Sequence, residues 1–489
     1  MKKLICILSM TALCLALAVS CKKDPPKENT IIWPPDPPVE DVENYLKAAI
    51  ISLRNVFFIG PAFHDFGHIM SLQLAGDLMT EDMAMMDNDW FYFDYEIDNN
   101  QTNYRRPLNS WRMMYTVVYE VNGAIGAISP KTTDPELQNI LGQCLALRAF
   151  SYHILIQRFQ QTYLGNEHKP GIPLLLTELD SLRDGEEGVS NYCRNTVEKV
   201  YKRIETDLLR AMDYLTAARI SKDYINKAVA QGFLARVYMC MHKWDKAEQL
   251  AREARSAFPI MPIHEAGGEY GYNDENNSEW MWGSRTTPEN CMYYVSFQSH
   301  IVSECSSAGY AALGSYKAMD NRLYSQMNPT DVRRNLHFMD IPNEKFYNTK
   351  FKCVENFLMD NIYMRSSEML LIEAEAQAQQ GKNSQAATTL MELMSKRDYA
   401  YSTTNASVDD IFLQKRLECW GEGVIFYDYR RLKKEVDRTY VTPFNNHLEK
   451  IKLSGTNWKF IYQIPQQEIL NNSCITDADN NPADGDAIF

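Results

Sequence analysis

After its first twenty residues the chain has no apolar run long enough to span a bilayer. It also has no C-x-x-C pair, which removes the usual zinc and dithiol motifs. G-x-S-x-G, H-E-x-x-H, G-x-G-x-x-G and Walker A patterns are missing too, so an enzyme reading has no motif to rest on. Basic residues are the minority, 50 against 63 acidic ones, for a net charge of −13. Loss of residues 1–20 would remove only Lys2 and Lys3 and take the balance two units further, to −15. That sign argues against nucleic acid or anionic headgroups as partners. Cysteine is scarce, eleven in all. Cys144 and Cys240 lie in apolar helical stretches and read as core residues. Cys291, Cys305, Cys353 and Cys474 are able to pair in an oxidising compartment, with connectivity open.

What is present begins with an export signal. Lys2 and Lys3 precede an apolar stretch from Leu4 to Val19, the shape of a signal peptide. Ala18-Val19-Ser20 then leads into Cys21, which resembles a bacterial lipobox and implies acylation of Cys21. Residues 22–40 carry Pro25, Pro26, Pro34, Pro35, Pro37 and Pro38 among charges, a composition that stays extended rather than folding. In polyproline II geometry such a tether reaches on the order of 60 Å. The remaining chain is long enough for two or three domains' worth of core.

Most of that remainder reads as helix. In residues 226–259, Leu234, Ala235 and Tyr238 share one helical face, and Ala247, Ala251 and Ala254 share the next. Small residues let paired helices approach while aromatics fill the seam. The spacing matches a tetratricopeptide (TPR) repeat, with His242 where Gly is usual. A second unit spans 366–397, with Ala374, Gly381 and Ala386 at corresponding positions. A looser pair uses 137–160 and 196–217, and a fourth draws on 41–75 or 107–128. Between them lies a long segment, 260–360, rich in Gly, Asn, Tyr and Trp; insertions of that length are usually functional. The expected fold is therefore mostly α, a helical-repeat scaffold with long irregular loop insertions and minor β.

Four further segments resemble one family. These are LALRAFSYHILIQRFQ (145–160) followed by GIPLLL (171–176), and YMRSSEMLLIEAEAQAQQGK (363–382) through Arg365, Glu368 and Glu375. KRLECWGEGVIFYDYRRLK (415–433) follows, through Arg416, Glu418, Glu422, Gly423, Asp428 and Arg431, and YQIPQQEILNN (462–472) through Ile464, Pro465, Glu468 and Asn472. In this order they resemble the SusD/RagB nutrient-binding outer-membrane lipoproteins. The chain departs from that pattern at Ile425, where Arg is usual, and at Gln414, where an acid is usual. The resemblance implies a TPR scaffold at the cell surface that captures oligosaccharide, or in some members peptide, and passes it to a SusC-like TonB-dependent outer-membrane transporter. It implies no cofactor and no catalysis. The expected organisation is signal peptide 1–20, acylated Cys and tether 21–40, N-terminal SusD-like helical region 41–260, loop-rich insertion 261–360 and C-terminal SusD/RagB region 361–489.

Sugar capture needs flat apolar faces with amides, carboxylates or guanidinium groups at their rim. Two stretches offer both. Residues 88–106 supply Trp90, Tyr92, Tyr95, Asn99, Asn100 and Arg105; residues 267–285 supply Tyr270, Tyr272, Asn276, Trp280, Trp282 and Arg285. The opposing expectation is that these aromatics pack loops onto the scaffold. Trp111, Tyr115 and Tyr119 have helical spacing and read as core. His64 and His68 stand four apart but lack a zincin Glu, and the 477–486 tail puts Pro482 where an EF-hand needs Gly, so no metal is expected. Glu418, Glu422 and Asp428 sit among arginines, the setting of structural ion pairs rather than of a glycosidase pair. The alternatives to glycan capture are peptide capture and a TPR scaffolding lipoprotein without a small ligand.

Overall fold

A computed structural model describes residues 35–55, 63–180, 192–268 and 271–487. The signal segment, Cys21, the tether up to Pro34, and Tyr270 lie outside the described residues.

Eleven main helices build the scaffold. They are α1 (Val39–Arg54), α2 (Ile69–Leu78), α3 (Arg105–Ala127), α4 (Pro135–Phe159), α5 (Val197–Tyr214), α6 (Lys227–Cys240), α7 (Trp244–Arg255), α8 (Ser366–Gln379), α9 (Asn383–Met394), α10 (Val408–Glu418) and α11 (Ile425–Arg431). Their starts follow local chemistry. Asp134 caps α4 by accepting from the Glu136 and Leu137 amides, with Pro135 at the first helical position where no donor is needed. Asn226 caps α6, and Ser407 with Asp410 forms a capping box on α10.

The helices stack in series. α1 packs on α3, α3 on α4, α4 on α5, α5 on α6, α6 on α7, α7 on α8 and α8 on α9. Both regions weighed for the fourth repeat unit therefore take part, α1 from one and α3 from the other. Ala247, Ala251 and Ala254 of α7 are fully buried, so the neighbouring helices lie close. α7 meets α8 although about a hundred residues separate them, because the insertion leaves the stack and returns to the same place. A strand in its first third pairs antiparallel with the strand that follows it, β2 (Trp280–Ser284) with β4 (Asn361–Arg365). The turn inside each TPR unit needs a left-handed residue. Gly381 supplies it at φ 76°, and His242, standing at the glycine position, adopts φ 55° with its ring stacked on Trp244.

Behind the repeats lies a buried charged hub made from the motif residues. The Arg365 guanidinium bonds Glu279, Glu418 and Glu422, while Arg397 bonds Glu418 and Lys350 bonds Glu422. Gln414 accepts from Arg333 at 2.7 Å, so the departure from an acid there keeps a hydrogen bond. Ile425 is buried among Phe412, Phe426 and Tyr429, an apolar solution where Arg is usual. Gly423 sits at φ 77°, and a Cβ there would stand 2.1 Å from Gln73 Cβ. Only glycine meets both conditions.

The cysteines differ in part from expectation. Cys474 bonds Cys193, while Cys291, Cys305 and Cys353 are free. Tyr119 is 72% exposed, not core, because it points off the outer face of α3; Trp111 is buried and Tyr115 half-buried. The acidic tail is anchored as well as solvated, since the Asn481 amide donates to the carbonyls of Phe159 and Tyr462.

Candidate functional site

Trp90 is presented by a short, well-braced turn. Strand β1 (Met83–Met85) pairs antiparallel with β3 (Lys317–Met319), bringing residues about 230 apart into register. The chain leaving β1 turns at Asp89, whose carboxylate accepts from the Phe91 amide at 2.9 Å and from the buried Lys317 ammonium. Burial opposes ionisation of Asp89, but Lys317 and His300 beside it hold its carboxyl below the usual range. Phe91 is buried against His300 and Arg106, so its neighbour Trp90 faces outward, 38% exposed.

Trp90 starts a continuous chain of rings. His64 stacks on it at 5.0 Å, and Tyr310 meets His64 edge-on at 5.7 Å. The Tyr310 hydroxyl and His64 Nδ1 share a 2.6 Å hydrogen bond, while buried His300 stacks under Tyr310 at 4.8 Å. Tyr294 continues the chain at 6.4 Å from Tyr310 and is 46% exposed. Arg105 lies over Phe63 at 4.8 Å and Trp90 at 5.5 Å, with 42% of its side chain exposed. Its neighbour Arg106 turns inward to Asp94 and Asp65, so adjacent arginines divide between rim and core. The result is an apolar shelf with guanidinium, imidazole and phenol groups at its edge, which suits a ligand with flat C–H faces and hydroxyls.

Of the residues expected from the sequence, Trp90 and Arg105 reach this shelf. Tyr92 is half-buried and donates to Glu449 at 2.6 Å; Asn99 donates to Asp94. Tyr95 and Asn100 are corrected to core positions. Tyr95 is fully buried against His447, and the Asn100 amide donates to the carbonyls of Trp458, Ile461 and Ala483. The second stretch is corrected more thoroughly. Trp280 is 0% and Trp282 2% exposed, with Trp282 covered by Phe150 of α4, Phe233 of α6 and Tyr363 of β4. Their indole N–H groups donate to the carbonyls of Gly271 and Asp223, leaving nothing for a ligand. Tyr272 is buried too, with Lys350 and Arg365 over its ring. Arg285 and Asn276 are exposed. Tyr270 lies outside the described residues.

His64, Tyr294 and Tyr310 were missed. Tyr310 follows the small-residue run Ser306-Ser307-Ala308-Gly309, and Tyr293-Tyr294 is an adjacent aromatic pair in the insertion, exposed on a single 3-10 turn; these are the local signals that point to them. His64 and His68 do not share a helix face. Residues 63–68 form a turn before α2, and His68 is buried with its ring nitrogens toward the Met70 and Phe297 amides. No group of three or more metal-ligating side chains occurs among the described residues. A cavity of about 50 Å³ lies in the scaffold and is lined by residues that include His153, Arg236, Glu368, Lys415 and Asp428. It has room for a few waters, not a sugar. Glu418 and Glu422 are committed to the hub. Burial opposes their charge, but the surrounding arginines and Lys350 hold both below the usual carboxylate range.

Residues 60–239 match a SusD-like family described as starch-binding and associating with the outer membrane, and residues 314–482 match the SusD family. Together the matches span 349 of the 489 residues. The chain belongs to the SusD/RagB family. Solved SusD structures share its fold. A SusD-like carbohydrate-binding protein from Bacteroides vulgatus is 22% identical with a TM-score of 0.75, covering 90% of this chain and 98% of its own. Surface glycan-binding protein A from Bacteroides uniformis is 16% identical with a TM-score of 0.66, covering 89% and 98%. The Bacteroides thetaiotaomicron protein of the same name, in complex with laminarihexaose, is 17% identical with a TM-score of 0.64, again covering 89% and 98%. No curated protein matches the chain. The motif residues of the SusD/RagB pattern are structural here: Glu375 pairs with Arg431, and Glu368 with Arg236.

Proposed function

We propose that this SusD/RagB chain is a non-catalytic, lipid-anchored cell-surface protein that captures oligosaccharide on the Trp90–His64–Tyr310–Tyr294 shelf. Captured ligand then passes to a SusC-like TonB-dependent transporter. The observation that carries this reading is the ring chain, exposed at Trp90 and Tyr294 with Arg105 at its rim, on a family scaffold whose motif carboxylates are tied up in ion pairs. Stacking and hydroxyl bonding need no proton transfer, consistent with a protein that binds and releases its ligand unchanged. Cys21 and the Pro-rich tether supply an anchor long enough to let the body move over a transporter.

Titration calorimetry with laminarihexaose, alongside α- and β-linked oligosaccharides and short peptides, tests the reading. Binding of one glycan class, lost in Trp90→Ala, is expected. Undiminished binding by a Trp90→Ala/Tyr294→Ala double variant would remove the shelf from the argument, and binding of peptides alone would transfer the function to peptide capture. Recovery of a TonB-dependent transporter with the affinity-tagged protein tests the hand-off, and loss of membrane association in Cys21→Ala tests the anchor.

A further inference from the structure

Next to the turn that bears Tyr293 and Tyr294 lies a small cationic cavity that ring stacking leaves unused. Met292 and Ser296, the residues flanking that turn, form part of its wall. Its volume is about 20 Å³, room for about one or two waters. Two guanidinium groups line it, Arg54 from the C-terminal turn of α1 and Arg285 from the residue after β2. The Ser284–Asn361 pair closes the β2–β4 ribbon at the cavity, so Arg285 leaves the strand there and is exposed. Asp360, next to that pair, spends its carboxylate on backbone, accepting from the Thr286 amide at 2.8 Å and the Glu275 amide at 2.9 Å. Among the described residues Arg285 has no ion pair, and Asp360 and Glu275 act on it only at longer range. Arg54 gives one nitrogen to Asp223 at 2.8 Å and keeps 27% of its side chain exposed. The Thr286 hydroxyl, in the same lining, accepts from the Gln298 and Asn361 amides at 3.5 and 3.4 Å and keeps its proton for an acceptor.

We propose that this cavity holds the carboxylate of a hexuronic acid residue, so that the oligosaccharide captured beside Tyr294 is an acidic one. The inference rests on the shelf for the kind of molecule and on the cavity for its charge. A space of about one or two waters excludes a pyranose ring but admits a carboxylate. The ring then stays outside, where Tyr293 and Tyr294 are 54% and 46% exposed. A carboxylate is flat and only accepts, which matches the planar donor fork of Arg285 and the hydroxyl proton of Thr286. A sulfate ester is bulkier, with three free oxygens around its sulfur, and a sugar hydroxymethyl brings no charge to the guanidinium groups. Nearby acids set a limit on the attraction. Asp223, Asp360 and Glu275 lie around the two arginines, and the whole chain carries −13. The cationic field is therefore local and serves one anionic group rather than a polyanion.

Titration calorimetry of the full chain tests it with tetraoses of β-1,4-xylose, β-1,4-glucose and α-1,4-glucose, each bearing one glucuronate, beside their methyl esters, which remove the charge. The best-bound acid is expected to exceed its ester by about tenfold or more, the scale of a charge-assisted hydrogen bond. That advantage should shrink as sodium chloride is raised. Arg285→Gln is expected to bring the acid down to the level of the ester and leave the ester unchanged, while Arg285→Lys keeps part of the difference. Equal binding of acid and ester, or an acid preference that survives Arg285→Gln, would overturn the proposal. So would no binding of any acid, or a sulfated tetraose held more tightly than its glucuronate counterpart. The shelf is scored apart from the cavity. If Trp90→Ala/Tyr294→Ala leaves all binding intact while the acid preference still needs Arg285, the shelf reading fails and the cavity stands. If ester and acid bind alike and both need Trp90, the cavity fails and the shelf stands.

Discussion

The stretches 88–106 and 267–285 offer similar ligand-binding residue types, yet Trp90 of the first faces outward while Trp280 and Trp282 of the second are core. Each has two or more large aromatics, several asparagines and a closing arginine. Trp90 follows a three-residue strand and keeps an exposed side, with His64 stacked on it and Arg105 over its ring. Trp282 sits in a strand sealed between Phe150, Phe233 and Tyr363, with its N–H already spent on a carbonyl. An indole therefore has two uses in this molecule, and the difference lies in what the chain places on its second face. A Trp whose polar atom is satisfied internally and whose faces are both covered is packing; one left with an open face beside a part-exposed cation is available to a ligand.

Substitutions make that contrast measurable. Trp282→Ala removes a fully enclosed side chain and is expected to cost about 3–5 kcal/mol in chemical denaturation. Arg365→Ala removes the cation shared by Glu279, Glu418 and Glu422, leaving Arg397 and Lys350 to hold three buried carboxylates, and is expected to cost a similar amount, about 3–5 kcal/mol, in the same experiment. Trp90→Ala is expected to weaken oligosaccharide affinity by about 2 kcal/mol, roughly thirtyfold, while its unfolding midpoint moves little. Trp282→Phe keeps most of the buried volume and should lose about 1–2 kcal/mol of stability with affinity unchanged; loss of binding by a folded Trp282→Phe protein would break the contrast. Arg105→Ala is the mildest, about 0.5–1 kcal/mol in affinity, from the lost cation–π contact and rim donor.

The helical repeats were legible because their information is local. Period-3.6 apolar faces, alanines at close approaches and caps such as Asp134-Pro135 act within one or two turns, and the 226–259 and 366–397 units fold where that pattern puts them. Even the irregular His242 was visible as a residue on a glycine position. The ion pairs of the SusD/RagB motifs were legible as structural for a related reason: carboxylates spaced among arginines on helices find them. The shelf was only half legible. Trp90 and Arg105 lie in one stretch and could be read together. His64, Tyr294 and Tyr310 come from three other places, and nothing local relates them.

By itself the sequence determined the repeat scaffold, the charged motif residues and the chemistry available to a ligand site, because those depend on residue type and short-range spacing. Tertiary structure alone decided which aromatics face outward. That choice depends on the β1–β3 pairing of residues more than two hundred positions apart, on the return of the insertion beside β2, and on the buried Lys317 that fixes Asp89 beneath Trp90. Whether a ring is covered is settled by what arrives on its far side, and that neighbour comes from a distant part of the chain.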